Sequence, residues 1–456
     1  MQPSQPLEVL PIHVPSLWLG VCPFASRPPR LALPGPRAVP GGTHLRHTRM
    51  IRPDYASRFA CLGSACEENC CSGWLVSIDE ITCRKYDALE HSPLRSLIED
   101  SIVRTAARED PQASCATIRM LPSGQCPLLS ENGLCRIQVE HGESYLSPTC
   151  ANYPRTRHTI DGLEETTLSL SCPEAARLVL LSPSLLPGAD APGYQLTWDE
   201  TAAIGNALRP YFWQIRAFLI GLILNRDYPL WQRLFLMGSF CRRLQALSLD
   251  ETDRKFPEIL DDFSRAVAAP GLSASIETIA ADLPLQLEIV LELIRQRVNN
   301  TPIGSGLHGV LTDFVAGVGH SQTAAIEYQA ARYAKAYQRY YVPFFRRRPQ
   351  ILENYLVNFV LRDAFPFANR LFLPGAEPEP AKAFAMFAIQ FSLIKGLLIG
   401  VAGARGRRFS TADVLRTIRI AFKHFEHNPR FLAGAYNMLA ARGLNDARGL
   451  AMLLRN

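Results

Sequence analysis

Paired Cys-x2-Cys knuckles are absent from this chain, as are a Gly-rich nucleotide fingerprint, a Lys/Arg stripe and a clean apolar run. Each absence removes a class. Structural zinc sites favour the C-x2-C knuckle, so the twelve cysteines are not an ordinary zinc-finger set. Dinucleotide-type α/β sheets need a Gly-rich turn after a strand. The nearest pattern, Gly400-x2-Gly403-x2-Gly406, follows an apolar helix with the wrong spacing and reads as a helix C-terminus. The C-x3-C-x2-C motif of the usual radical enzymes is also missing, because Cys71 directly follows Cys66-x3-Cys70. A net charge of +6 over 456 residues is mild, and Arg346-Arg347-Arg348 reads as a solvated face, so nucleic acid is not an expected partner. No membrane span is expected either. The most apolar stretch, 383–401, holds Gln390 and Lys395 in its interior, whereas a spanning helix needs about 20 mostly apolar residues. It reads as a buried helix. The N-terminus lacks a basic region ahead of a clean apolar run, and Pro11 and Pro15 interrupt the one it has, which argues against a secretory signal.

Cysteine is what the chain does have. Ten of the twelve lie between Cys61 and Cys172. In a long chain without a signal, reduced thiols that bind metal in a cytoplasm fit better than a secreted disulfide framework. The spaced set runs Cys61-x4-Cys66-x3-Cys70-Cys71, then Cys126-x8-Cys135, then Cys150 and Cys172. Short spacings let one loop supply several thiolates, and all-sulfur sets select zinc, copper(I) or iron–sulfur clusters. With no C-x2-C knuckle, the weight falls on iron–sulfur, with structural zinc as the rival. The adjacent pair Cys70-Cys71 points its side chains apart, toward two centres or two edges of one. Cys22, Cys83, Cys115 and Cys241 fall outside the set and read as structural or incidental.

The fold expected is mainly α: an N-terminal cysteine-rich metal-binding module with irregular loops, then a multi-helix domain. Residues 1–49, with ten prolines and no periodic apolar face, read as a disordered arm or a mis-called start ahead of Met50. The cysteine-rich module is placed at 50–181. It has a short helix with Asp79-Glu80 in its first turn, and a turn-rich stretch over 111–135 that suits short loops or a small hairpin. A Pro/Gly linker follows at 182–197, and the helical domain occupies 198–456. Helical spacing is clear in Ile215, Phe218, Leu219, Leu222 and Ile223, and in Leu234, Met237, Phe240, Cys241 and Leu244. Further helices are expected near 276–298, 323–340, 350–363, 381–401, 411–425 and 429–453.

At the level of motifs, the string 59–74 (FACLGSACEENCCSGW) with Ile78-Asp79 resembles the opening of the flagellin lysine-N-methylases. So do Cys126-Pro127-Leu128-Leu129, Gly133-Leu134-Cys135-Arg136, the run 142–150 leading to Tyr153-Pro154-Arg155, and the run 168–177. In the helical half, Asn225-Arg226, Pro229-Leu230-Trp231-Gln232-Arg233-Leu234, Glu353-Asn354-Tyr355-Leu356-Val357-Asn358 and Phe365-Pro366-Phe367 are similar. The resemblance covers 50–456 in order, and its cysteine part is shared with a wider group of zinc- or iron-chelating proteins. Cys83 stands where an aromatic residue is expected.

This resemblance implies a cytoplasmic S-adenosylmethionine-dependent methyltransferase that acts on lysines of flagellin and carries a [4Fe–4S] cluster. The metal ligands would be Cys61, Cys66, Cys70, Cys71, Cys126, Cys135, Cys150 and Cys172. A polar methyl transfer needs a neutral amine, so a carboxylate or tyrosine near the ligands is wanted as proton acceptor. Glu143, Tyr145 and Glu174 are the candidates. Arg155 and Arg177 stand beside Cys150 and Cys172 in sequence, where they would meet a carboxylate or the cluster's negative charge. Asn354, with Glu353, Tyr355 and Asn358, reads either as a cofactor pocket or as a buried polar bridge between the domains. His424 and His427 read as surface or capping groups. The alternative function is a non-enzymatic metal chelator that binds a partner through its helical domain, and a redox sensor at Cys70-Cys71 is a third.

Overall fold

The computed structural model describes residues 53, 55–68, 70–72, 76–104, 114–161, 163–186, 208–300, 304–321, 323–367, 379–426 and 429–455. The expected arm at 1–49 with Cys22, the linker from 187 onward and His427 lie outside them. Among the described residues the fold is mainly helical. The cysteine-rich part carries β1 (Ser77–Asp79), α1 (Glu80–Asp87), α2 (Pro93–Ser101), β2 (Ile102–Arg104), β3 (Ser114–Ile118), α3 (Arg136–His141) and α4 (Pro148–Asn152). After these come β4 (Arg155–Ile160), β5 (Leu163–Leu168) and α5 (Pro173–Leu180).

Asp79 is the N-cap of α1, its carboxylate accepting from the Thr82 N–H at 3.0 Å. Of the two acids expected in the first turn, Glu80 lies in it and Asp79 stands just before it as the cap. Where short loops or a small hairpin were expected, β3 forms the centre of a three-stranded antiparallel sheet of order β1-β3-β2. Its Ser-Cys-Ala-Thr-Ile run is too short to show a period before tertiary pairing fixes it. Cys83 on α1 and Cys115 on β3 are joined in a disulfide, which ties the helix to the sheet.

The helical part comprises α6 (Phe212–Leu224), α7 (Leu230–Gln245), α8 (Thr252–Ala268), α9 (Leu272–Ile276), α10 (Leu283–Asn300), α11 (Ser305–Val318) and α12 (Ile326–Ala336). It continues with α13 (Val342–Arg346), α14 (Gln350–Arg362), α15 (Pro380–Arg405), α16 (Thr411–Ala421), α17 (Pro429–Ala441) and α18 (Ala447–Leu454). The last two replace the single helix expected at 429–453. Gly443 sits at φ +66, which ends α17, and the Asp446 carboxylate caps Gly449 N–H at 2.7 Å to start α18.

At the centre lie α14 and α15, buried along nearly their whole length. The 383–401 stretch is long and apolar enough to cross a membrane, yet its most apolar window is wholly buried in the fold. Its polar residues have a structural job. Lys395 donates to the Leu454 carbonyl, Ser392 to Leu453 at 3.3 Å, and Gln286 of α10 to Met452 at 2.7 Å. Together they satisfy carbonyls at the C-terminus of α18. Burial brings the Lys395 amine down to about 7. Of the Gly400–Gly403–Gly406 pattern, only Gly406 ends a helix. A Cβ on Gly317 of α11 would fall 1.8 Å from the Gly400 carbonyl oxygen, so small residues there let the two helix backbones touch.

Two hydrophobic clusters result. The smaller is built from the three-stranded sheet, α1, α2 and Leu128 and Ile137. The larger holds the helical domain, and it also takes in Tyr55, Phe59, Leu168, Leu170, Cys172 and α5 from the cysteine-rich part.

Candidate metal centre

Six loops and helix starts carry the eight thiols. Cys61 and Cys66 flank a single 3-10 turn at 63–65, and the Cys61 sulfur accepts the Gly63 N–H at 3.4 Å. The next loop brings Cys70 and Cys71. The Cys71 carbonyl accepts the Cys126 N–H at 2.7 Å, which pins this loop to the one carrying Cys126. Cys135 follows as N-cap of α3, across a bridge from Leu129. Cys150 sits in the first turn of α4, its N–H accepted by the Ser147 hydroxyl. Cys172 is the N-cap of α5.

Electrostatics divide the set. Burial raises Cys126, Cys135 and Cys150; Cys70 raises each of them further, Cys135 adds to Cys126, and both Cys126 and Cys135 add to Cys150. Cys150 reaches about 12, because burial adds to the fields of Cys135, Cys126 and Cys70. Cys172 reaches about 11, chiefly by burial, with Cys66 and Cys61 adding to it. One group is therefore Cys71, Cys126, Cys135 and Cys150, and the other Cys61, Cys66 and Cys172. Cys70 feels both. A hydrogen bond between Cys70 and Cys71 brings Cys70 down to about 7 and pushes Cys71 up. Against burial, backbone N–H groups face the sulfurs: Leu128 toward Cys126, Gln138 and Ile137 toward Cys135, Ala175 and Glu174 toward Cys172. Such donors favour the thiolate. Among the described residues, no three His, Cys, Asp or Glu side chains converge on a point as a single ion requires.

The remaining candidates are spread over several parts of the fold. Arg155 opens β4, lies 4.9 Å over the Phe59 ring and donates to the Phe59 carbonyl at 3.4 Å. Arg177 pairs with Glu174 at 2.9 Å and reaches Glu67, next to Cys66, at 3.5 Å. Glu143 is exposed. Tyr145 packs on the smaller core, 5.1 Å from His141. Asn354 lies elsewhere, buried in α14, with its amide N–H groups donated to the Val179 carbonyl at 3.1 Å and to Ser182 at 2.6 Å.

Asn354 belongs to a polar line along α14. Glu353 pairs with Arg226 at 2.6 Å and Arg233 at 2.9 Å; Tyr355 donates to Glu426 at 3.0 Å. Asn358 accepts from the Tyr55 hydroxyl and donates to the Leu168 carbonyl at 3.2 Å. This line ties the cysteine-rich part to the helical core. His424, expected at the surface, is buried against Arg297, which donates to its carbonyl at 2.8 Å. Burial, Arg297 and Lys423 bring it down to about 4.

Four neighbours of the centre escaped sequence reasoning. Arg419 pairs with Glu68, and Lys423 donates to Ser72 at 3.2 Å, beside Cys71. They are four apart across the end of α16, and that one-face spacing is their only sequence signal. Tyr86 is raised by burial and by the charges of Cys150, Cys135 and Cys126, and Tyr153 by burial with Cys172 and others.

Residues 216–453, over half the chain, match the family described as the FliB lysine N-methylase C-terminal domain. The chain belongs to the FliB lysine N-methylase family. It is similar to a lysine-N-methylase of Salmonella typhimurium, 24% identical over 402 residues, covering 84% of this chain and 93% of the relative. A lysine-N-methylase of Salmonella choleraesuis is 27% identical over 55% of this chain and 61% of its own length. The flagellar biosynthetic protein FliU of Salmonella muenchen is 33% identical over 39% of this chain and 98% of its own length. No solved structure matches the chain. The family match begins inside α6, so it rests on the helical core, and the thiol loops enter through the longer alignment.

Proposed function

We propose that this protein is a lysine N-methyltransferase that methylates flagellin, using S-adenosylmethionine and a [4Fe–4S] cluster held by its thiols. Family membership supports the methyl transfer, and the name FliU on a relative supports the flagellar substrate. The donor set fits the cluster. Thiolates are the ligands iron–sulfur centres take, and N–H groups aimed at sulfur are among the groups that tune them. Cys71, Cys126, Cys135 and Cys150 are the thiols that would hold it, with Lys423, beside Cys70 and Cys71, offsetting its negative charge. Held by all four thiols the cluster would have no free iron; held by three of them, it would supply one for the amino-acid end of S-adenosylmethionine.

The chain's own residues then have three tasks. The lysine substrate must lose a proton before it attacks the methyl carbon, and Glu143, Tyr145 and Glu174 are the proton acceptors proposed. Arg177, already held between Glu174 and Glu67, orients a carboxylate, and Arg155 fixes the Phe59 loop below Cys61. The α14 polar line, Asn354 included, holds the two parts in register.

Iron content and the ultraviolet–visible spectrum of anaerobically purified protein test this, together with methyl transfer to flagellin. Brown protein with about four irons per cluster and methyllysine on flagellin is the expected result. Colourless protein with stoichiometric zinc and unmodified flagellin would leave a metal-binding scaffold of the same ancestry.

A further inference from the structure

A second site lies away from the thiols. A cleft of about 650 Å³ opens between residues 339–348, the turn after α15 and the start of α16. Arg339, Arg347, Arg348 and Arg407 line it, and its lining contains no aspartate or glutamate. None of the four pairs with a carboxylate among the described residues. Nearby arginines behave otherwise: Arg405 and Arg416 are both tied to Asp313, and Arg405 also to Asp413 at 3.1 Å. The start of α16 is already capped by Ser410 and Asp413, so the attraction for anions comes from the guanidinium groups.

The floor decides which anion fits. Phe344 is 9% exposed; Phe409 meets it edge-on at 4.9 Å and Arg348 covers it at 4.6 Å. Single-stranded nucleic acid needs open aromatic faces for its bases, and this one is closed. A guanidinium stacked on a ring keeps its N–H edge free, which matches a carboxylate. S-adenosylmethionine, with a sulfonium and an ammonium, is repelled by four uncompensated cations. Several carboxylates on one extended chain meet the geometry. Position adds to this. α16 starts in the cleft, and Arg419 near its end pairs with Glu68 beside the thiol loop, about 12 Å along the helix at 1.5 Å per residue.

We propose that this cleft docks an acidic segment of the protein substrate, holding it while a lysine elsewhere on that protein reaches the thiol centre. The assignment of the segment to the methylated protein rests on the methylase reading. Charged docking of this kind steers association and is screened by salt.

The test uses full-length protein and the triple variant Arg339→Ala/Arg347→Ala/Arg407→Ala, whose iron content and circular dichroism should equal wild type. A fluorescein-labelled twelve-residue Asp/Glu-rich peptide and a single-stranded oligonucleotide of equal charge are the probes, read by anisotropy in low salt. The peptide should bind, and bind roughly tenfold more weakly to the triple variant, while KM for flagellin rises by a similar factor at unchanged kcat. Equal peptide binding and equal KM in both proteins overturn the docking site and leave the methylase standing. Arginine-dependent binding of the oligonucleotide alone overturns the choice of a polypeptide. Arginine-dependent peptide binding without methyl transfer by wild type sinks the methylase reading and keeps the acidic-peptide site.

Discussion

The two hydrophobic clusters are stabilised by different means. The larger one is closed by apolar helices, and several of its buried charges are paired inside it: Glu165 with Arg216 at 2.8 Å, Glu353 with two arginines, Lys395 with a helix end. The smaller one packs a few strands and two short helices, and the thiols at its edge are raised by burial and by one another. In the first region chain packing alone can hold the structure. In the second, a disulfide ties helix to sheet, and Cys70, Cys71, Cys126, Cys135 and Cys150 stand within one another's fields. The contrast teaches that the same chain closes one region with long apolar helices and the other with short elements, a disulfide and facing thiols.

The strongest way to break that contrast is at Glu165. Its carboxylate and Arg216 are 0% and 1% exposed, so Glu165→Ala leaves a buried guanidinium without its counter-charge. The expected loss is about 3–5 kcal/mol, read as a lower urea midpoint, and a loss below about 1 kcal/mol would show that the buried pair does not hold the core.

Next comes pH. His424 is depressed to about 4 by burial, Arg297 and Lys423, from an ordinary value of 6.5. The unfolded chain therefore binds more protons between these values, and this histidine lowers stability as pH falls from 6.5 toward 4. Glu426 is raised from 4.5 to about 7 by burial, with Asp363 adding to it. The folded state binds more protons there, so this carboxyl raises stability as pH falls from 7 toward 4.5. The two slopes oppose each other between 4.5 and 6.5. His424→Leu should expose the glutamate's slope and Glu426→Gln the histidine's, each at most about 3 kcal/mol across the window. Parallel profiles for both variants and wild type would remove the effect.

The smallest change in fold stability is expected in the thiol region. Cys150→Ser should lose most bound iron while the unfolding of the helical core shifts by no more than about 1 kcal/mol. Collapse of the helical core on this substitution would show that the two regions are not separable.

Much of the organisation was legible locally. Apolar period placed α6, α7, α10, α14, α15 and α16, because amphipathic or wholly apolar helices declare themselves over ten or more residues. The eight thiols were legible by spacing. β3, β4 and β5 were not, since short strands take their structure from partners far along the chain: β3 from Ser77–Asp79 and Ile102–Arg104. Arg419 and Lys423 gave no usable sign, being some 350 residues from Glu68 and Ser72. His424 was misjudged because a helix of mixed composition does not reveal which side is covered.

The sequence by itself determined the helical class, the burial of 383–401 and the thiol inventory, all of which depend on residue type and local period. Only the tertiary structure decided how the sulfurs divide into two groups around Cys70, which cations stand beside them, and that four arginines from two distant segments share one cleft. Those are relations across long sequence separations, fixed by packing and charge pairing that no local pattern encodes.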